Sequence, residues 1–150
     1  MIAVIQRVSE ASVKIANQVK GSIGAGMMIL LGIEETDSQE DIDWLSRKIA
    51  NLRIFDDDEG VMNNSLLDIN GEALVISQFT LHASTKKGNR PSYLKAAKPE
   101  ISIPLYQSFL KTFNDVCPTP VRSGEFGADM KVSLINNGPV TIIIDTKNKQ

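Results

Sequence analysis

Apolar positions form continuous or alternating runs at both ends of the chain and recur at helical spacing in between. Ile2 to Val8 predicts a strand from the first residues, and Ala11 to Ile15 alternates, with Val13 and Ile15 on one face. Asn17-Gln18 is a turn candidate, Val19 begins the return, and Gly21, Gly24 and Gly26 mark bends or bulges. Met27 to Ile33 is a second buried run, so the first third is expected to be a β-meander. Ser38, with Asp41 three residues on, can cap a helix. Ile42, Leu45, Ile49 and Leu52 follow helical spacing, which predicts an amphipathic helix over Gln39 to Leu52 with Trp44 packing beside its stripe.

Arg53 to Phe55 reads as a short strand and Asp56 to Gly60 as an acidic turn. Asn63 to Ser65 and Asn70-Gly71 are turns on either side of Leu66 to Ile69. Ser92 to Ala97 suits a short helix. Pro104 stands near the start of a second long helix, where its missing N–H costs nothing. Leu105, Tyr106, Phe109, Leu110, Phe113, Val116 and Cys117 form its apolar face, and Pro118 and Pro120 end it. Gly124 to Asp129 is a bend. Met130 to Ile135 and Val140 to Asp145 read as the arms of a hairpin, with Asn136 to Pro139 as its turn.

Ala73 to Ile76 is a continuous apolar run with the signature of a buried strand. Ser77, Gln78 and Thr80 then bring polar side chains to its end without a turn signal. Buried hydroxyls and amides need partners. Either the strand leaves the core there, or a site lies at its end. Arg7 shares a face with Ala3 and Ile5; it either snorkels to an edge or is held inside to grip carbonyls or an anion. His82 would share a face with Thr80 if the strand continued, and a Thr-His pair can serve as nucleophile and base. A lone His after a strand is more often a surface or loop residue.

The 150 residues suit one domain over 1–150, and the net charge of −2 carries no general nucleic-acid signature. The charge is uneven. Ten acids fall between Glu34 and Glu59, whereas Lys86, Lys87, Arg90, Lys95 and Lys98 sit in a segment without any acid. One face is therefore able to attract anions. Cys117 is the single cysteine, which excludes an internal disulfide and suits a reducing compartment. One His and one Cys do not make a Cys/His zinc site, and the acidic turn lacks the alternating ligands of a calcium loop. No metal and no cofactor are expected. No signal peptide or bilayer-length apolar stretch is visible, so a cytoplasmic location without a membrane partner is the expectation.

Ser77-Gln78-Phe79-Thr80-Leu81 and Asn137-Gly138-Pro139-Val140-Thr141 resemble the two signature motifs of the D-aminoacyl-tRNA deacylases. Ile5-Gln6-Arg7-Val8 with Ala11-Ser12-Val13, Gly88-Asn89-Arg90-Pro91-Ser92 and Phe126-Gly127-Ala128-Asp129-Met130 are similar to further stretches of that family, in family order along nearly the whole chain. His82 lies just outside the motif and inherits no role.

The resemblance implies a mixed α/β, α+β-like fold: a curled, barrel-like, mostly antiparallel or mixed sheet with two long amphipathic helices. It implies a homodimer that hydrolyses the ester of D-aminoacyl-tRNA, and of glycyl-tRNA mischarged on tRNA(Ala), without a cofactor. Ser77, Gln78, Phe79 and Thr80 would line the reaction centre. Gly138-Pro139, with a cis bond, would enter the neighbouring protomer's pocket and exclude L-amino acids. Arg7, Asn137 and Met130 would support them. Lys86, Lys87 and Arg90 are the candidate phosphate contacts to tRNA; DNA is not expected as a partner. The competing reading is a non-catalytic homodimeric β-domain that binds RNA ends or a small D-amino acid.

Overall fold

The computed structural model describes residues 1–150. Its elements are β1 (Ile2–Ile15), β2 (Gln18–Ile23), β3 (Gly26–Gly32), α1 (Gln39–Ala50), β4 (Phe55–Asp56), β5 (Met62–Asn64), β6 (Glu72–Ser77), a 3₁₀ turn (Phe79–His82), α2 (Pro99–Val116), β7 (Arg122–Ser123) and β8 (Lys131–Asp145). The main sheet runs β2-β1-β3-β6-β7, and β8 pairs with β1. β1 is antiparallel to β2, β3 and β8, while β6 is parallel to both β3 and β7. The sheet curls until its far ends approach. A Cβ on Gly21 of β2 would stand 3.3 Å from the Ser123 carbonyl oxygen of β7. The expected curled, mixed, barrel-like sheet with two long helices is the observed fold.

The two faces of this sheet bury different cores. Ala3, Ile5, Met27, Ile29, Leu31, Ala73 and Val75 pack with Ile42, Leu45 and Ile49 of α1 and Tyr106, Phe109 and Phe113 of α2. The helical stripes read from the sequence are the surfaces that close this core. A smaller cluster of Val8, Ala11, Val13, Ile23, Met28, Leu74 and Ile76 lies apart, with half-buried Leu30, Met130, Val132 and Leu134 against it.

Several expected elements differ, each for a physical reason. β1 is one strand rather than two, because β8 follows it through register shifts at Gln6/Val8 and Val8/Glu10. Asn63 and Asn64, expected in a turn with Ser65, instead belong to β5 (Met62–Asn64), antiparallel to β4 across the acidic turn. Ser92 to Ala97 form no helix. Ser92 pairs its backbone with Ser84, and Ala97 N donates to the Ile33 carbonyl, so tertiary partners claim the groups a helix would use. The second helix starts at Pro99, its N1 residue, which leaves Pro104 inside it.

The Met130 to Asp145 hairpin does not exist. Both of its supposed arms belong to β8 and pair with the same strand. Between the pairs Gln6↔Thr141 and Val8↔Asn136, β1 has only Arg7, while β8 has Asn137, Gly138, Pro139 and Val140. The Asn-Gly-Pro segment is thus a bulge pushed out of a continuous strand. Hydrogen bonds from Val140 N to Asn136 Oδ1 (2.8 Å) and from Asn136 Nδ2 to Thr141 Oγ1 (3.1 Å) close its base.

The end of β8 is tied back to the helical side. Asp37 is fully buried and accepts from the Met1 amino group and from Glu34 N, the latter at 2.8 Å. Met1 N also donates to Thr146 Oγ1 at 2.8 Å. Lys147 Nζ donates to Asp41 Oδ2 at 2.8 Å. Burial pushes the Asp41 carboxyl up, but hydrogen bonds from Lys147, Thr146 and the Ser38 backbone outweigh it and hold the group well below the usual carboxylate range.

Candidate functional site

β6 delivers the first group of residues. It is buried from Ala73 to Ile76 and opens at Ser77, which is half-buried. Tyr106 on α2 braces it from behind, donating to the Val75 carbonyl at 3.0 Å. Burial pushes the Tyr106 phenol up to about 12, so it stays a donor. Gln78 N still donates to the Leu31 carbonyl at 2.8 Å, and then the chain turns into a 3₁₀ turn. A Cβ on Gly32 would meet Leu81 Cβ at 3.0 Å and the Gln78 carbonyl oxygen at 3.1 Å. A glycine at the end of β3 lets the turn lie this close without displacing its neighbours.

Phe79 and Thr80 open the turn, so their N–H groups have no intrahelical acceptor. The Gln78 amide donates to the Thr80 hydroxyl. No hydrogen bond joins Thr80 to His82. The strand does not continue, so the shared face on which a Thr-His pair depends is never formed. His82 is also not a surface residue. It is 6% exposed, its Cδ2 lies against Gly32, and its Nε2 is buried without a partner.

Ser77, Gln78 and Phe79 edge a cavity of about 290 Å³ whose other walls are mainly apolar, including Ile33, Ala97, Phe126, Met130 and Val132. The start of β8 and the bend before it therefore face the end of β6 across one pocket. Met130 is on this wall, and a Cβ on Gly124 would run into its sulfur. Ile33, Ala97 and Ser102 also line the pocket, and the sequence reading passed over them. Their signal is tertiary: the Ala97–Ile33 backbone bond brings a loop residue to the end of β3.

The second group is the bulge. Gly138 and Pro139 are exposed, and the bond between them is cis. Arg7 lies beneath, 8% exposed. Its Nε donates to the Asn137 carbonyl at 2.7 Å and its Nη1 to the Ile54 carbonyl at 2.8 Å, with Asp56 Oδ1 at 3.1 Å. Of the two readings of Arg7, the grip on carbonyls is the one observed. Gly138 has φ +146°, and a Cβ there would meet Val140 Cγ2 at 2.8 Å and Arg7 Nη2 at 3.0 Å. None of Arg7, Asn137, Gly138 and Pro139 lines the pocket at the end of β6. The exposed corner and the pocket are thus separate features of the chain.

The third group, Lys86, Lys87 and Arg90, lies on an exposed loop whose neck is the Ser84–Ser92 backbone pair. None of the three is in an ion pair, although Arg7, Lys131 and Lys147 are.

A larger cleft of about 510 Å³ lies elsewhere, between Trp44, Lys48 and the end of β8. Lys149 Nζ sits 4.4 Å from the Trp44 ring centre there. The cleft contains none of the motif residues. No group of three or more His, Cys, Asp or Glu side chains is arranged to hold a metal ion. Cys117 is half-buried, and burial pushes its thiol up to about 12, which leaves it a poor nucleophile.

A curled α+β sheet with a small pocket at the end of a parallel strand and a rigid bulge on its longest strand defines a class of compact pocket proteins. The family model described as D-Tyr-tRNA(Tyr) deacylase matches residues 4–145. Curated relatives named D-aminoacyl-tRNA deacylase include one from Bacteroides fragilis (strain YCH46), 69% identical, and one from Parabacteroides distasonis, 60% identical; each match covers all of both chains. A solved structure titled "c-Myc DNA Unwinding Element Binding Protein" is 40% identical with a TM-score of 0.92, covering 97% of this chain and 98% of that one. Another, titled as a probable eukaryotic D-amino acid tRNA deacylase, shares the fold at a TM-score of 0.81 and 17% identity over 95% of this chain and 97% of that one. The chain belongs to the D-Tyr-tRNA(Tyr) deacylase family.

Proposed function

We propose that this protein hydrolyses the ester between a D-amino acid and the terminal ribose of tRNA. The observation that carries this is the pocket edged by Ser77, Gln78 and Phe79 in a full-length member of the family. Its polar rim suits the ester and its apolar wall suits the terminal nucleoside. The N–H groups of Phe79 and Thr80 stabilise the developing oxyanion, an effect of about 3–4 kcal/mol per donor in measured cases. Water is the nucleophile, assisted by the ribose 2′-hydroxyl of the substrate. Thr80 is not the nucleophile in this reading, because its hydroxyl is engaged by Gln78 and no base adjoins it.

The protein acts as a homodimer. Gly138-Pro139 of one protomer enters the pocket of its partner, where fixed carbonyls accept from the substrate's α-amino group and leave no room for an L side chain. Glycine passes because it has no side chain to exclude, which extends the activity to glycyl-tRNA mischarged on tRNA(Ala). The exposure of the corner and its absence from its own chain's pocket support this reading. So does the Arg7 grip, which stiffens the corner without using it. Lys86, Lys87 and Arg90 contact tRNA phosphates. A reducing, cytoplasmic setting suits the single cysteine. No helix is long and apolar enough to cross a membrane.

The deciding experiment is a deacylation assay on D-tyrosyl-tRNA with L-tyrosyl-tRNA as control. Turnover of the D ester alone is expected. Binding of either RNA without turnover would favour the non-catalytic module instead.

A further inference from the structure

Beside the pocket lies a patch of side chains that the hydrolytic reading touches only at Phe79, through its backbone N–H and its place on the pocket edge. Phe79 is 55% exposed and Tyr93 39% exposed, with ring centres 5.1 Å apart and planes at 72°. Leu94, the next residue, is 93% exposed. Three large apolar side chains left open together call for an occupant. The patch is also held firmly. The Ser84–Ser92 backbone pair fixes the chain just before Tyr93 (2.8 and 2.9 Å), and Ala96 N donates to the Tyr93 carbonyl at 3.0 Å. Gly32 seats the turn that carries Phe79.

The charge around the patch selects the occupant. From Ala73 to Pro99 there is no acid, and Lys86, Lys87, Arg90, Lys95 and Lys98 all fall in that segment. None of the five is in an ion pair. Two copies of this surface facing each other would bring like charges together. A single-stranded RNA matches both features, because its bases stack on exposed aromatic rings and its phosphates meet the lysines. Phe79 also edges the pocket, so a strand whose last nucleotide occupies the pocket passes over Tyr93 as it leaves.

We propose that the Phe79–Tyr93 pair, with Leu94 beside it, is a stacking platform for the unpaired nucleotide that precedes the esterified one, with its phosphates held by Lys86, Lys87 and Arg90. The inference rests on the reading that the pocket takes the aminoacylated end of an RNA. It adds a contact that distinguishes a tRNA ester from a free aminoacyl nucleoside.

The test compares D-tyrosyl-tRNA with the D-tyrosyl ester of adenosine, which ends before the platform begins. In Tyr93→Ala the ratio of kcat/KM for the tRNA ester over the nucleoside ester is expected to fall about tenfold, through KM, and Tyr93→Phe is expected to restore it. Leu94→Ser moves the ratio in the same direction by less. An unchanged ratio overturns the platform, as does an equal loss on both substrates. A change in the mass of the assembly by light scattering in Tyr93→Ala or Leu94→Ser overturns it too, by assigning the patch to a second copy of the chain. If wild-type protein turns over neither ester, the hydrolytic reading fails by itself. Anisotropy of a labelled single-stranded RNA trinucleotide then decides the platform: weaker binding by Tyr93→Ala supports it, and equal binding overturns it.

Discussion

The two faces of the curled sheet are built to different standards. The face under α1 and α2 gathers twenty buried residues, with Phe109 and Phe113 fully enclosed. The other face gathers seven, and its neighbours Leu30, Met130, Val132 and Leu134 remain half-open. On β8, Ile135 and Ile143 are more than half exposed. The first face is a finished core. The pocket lies where the two meet, walled by Leu31, Ile33 and Ala97 from the first and by Ile76, Met130 and Val132 from the second. A protein that admits a substrate has to leave some surface uncovered, and this one draws its stability from the closed core under the helices. Arg7 lies on the face of Ala3 and Ile5 and grips the Asn137 carbonyl of the bulge, whose Val140 packs against the same first core.

The contrast is broken most severely on the covered side. Phe109→Ala leaves a cavity in the closed core, and the expected loss is about 3–5 kcal/mol of stability, measured by denaturant unfolding. At the exposed bulge the loss moves from folding to function. Gly138→Ala forces a Cβ against Val140 and Arg7 at a φ that disfavours side chains. We expect a drop of about 100-fold in kcat/KM on D-tyrosyl-tRNA, typical of a misplaced positioning element, with the covered core still folded. A Tm falling as far as that of Phe109→Ala would place the bulge in the stabilising core instead.

Arg7→Lys keeps the charge but loses the planar fork that reaches the Asn137 and Ile54 carbonyls together. One weakened hydrogen bond corresponds to about a tenfold change, expected here as poorer discrimination between D- and L-tyrosyl-tRNA. Unaltered selectivity would separate Arg7 from the handedness of the site.

Asp41 gives a smaller, pH-dependent effect on the covered side. Its carboxyl lies below its ordinary value of 3.8 in the folded protein. The stability it supplies is therefore complete above that value and is lost as pH falls below about 4. Asp41→Asn should flatten the acid limb of a Tm-against-pH curve and leave neutral pH activity intact; an unmoved limb would assign acid sensitivity to other carboxylates. Thr80→Ala should change least, retaining most of the deacylation, because the backbone of the turn survives the substitution. Abolished turnover with intact substrate binding would restore Thr80 as the nucleophile.

Helical spacing alone specified α1 and the apolar stripe of α2, and the Ser38–Asp41 capping box formed as its residue types require. The buried run Ala73 to Ile76 is a strand whose end at Ser77, with Gln78, borders a pocket, whereas Thr80 lies in the 3₁₀ turn beyond it and is not on the pocket wall. These features are local, set by side chains within one or two turns of each other, so the chain carries them in plain order. The Asn-Gly-Pro segment misled for the opposite reason. Its residues have the chemistry of a hairpin turn, but β1 is long enough to pair with both sides of it, and pairing with a third element turned a predicted reversal into a bulge. His82 was misplaced because Gly32, fifty residues earlier, lets the chain fold down at the end of β6 and bury the ring. Which carbonyls Arg7 holds, which loop closes the pocket and which aromatic rings stay open depend on contacts between segments far apart in sequence. Those contacts are chosen by packing and by the need to pair buried backbone groups, and no local pattern encodes them.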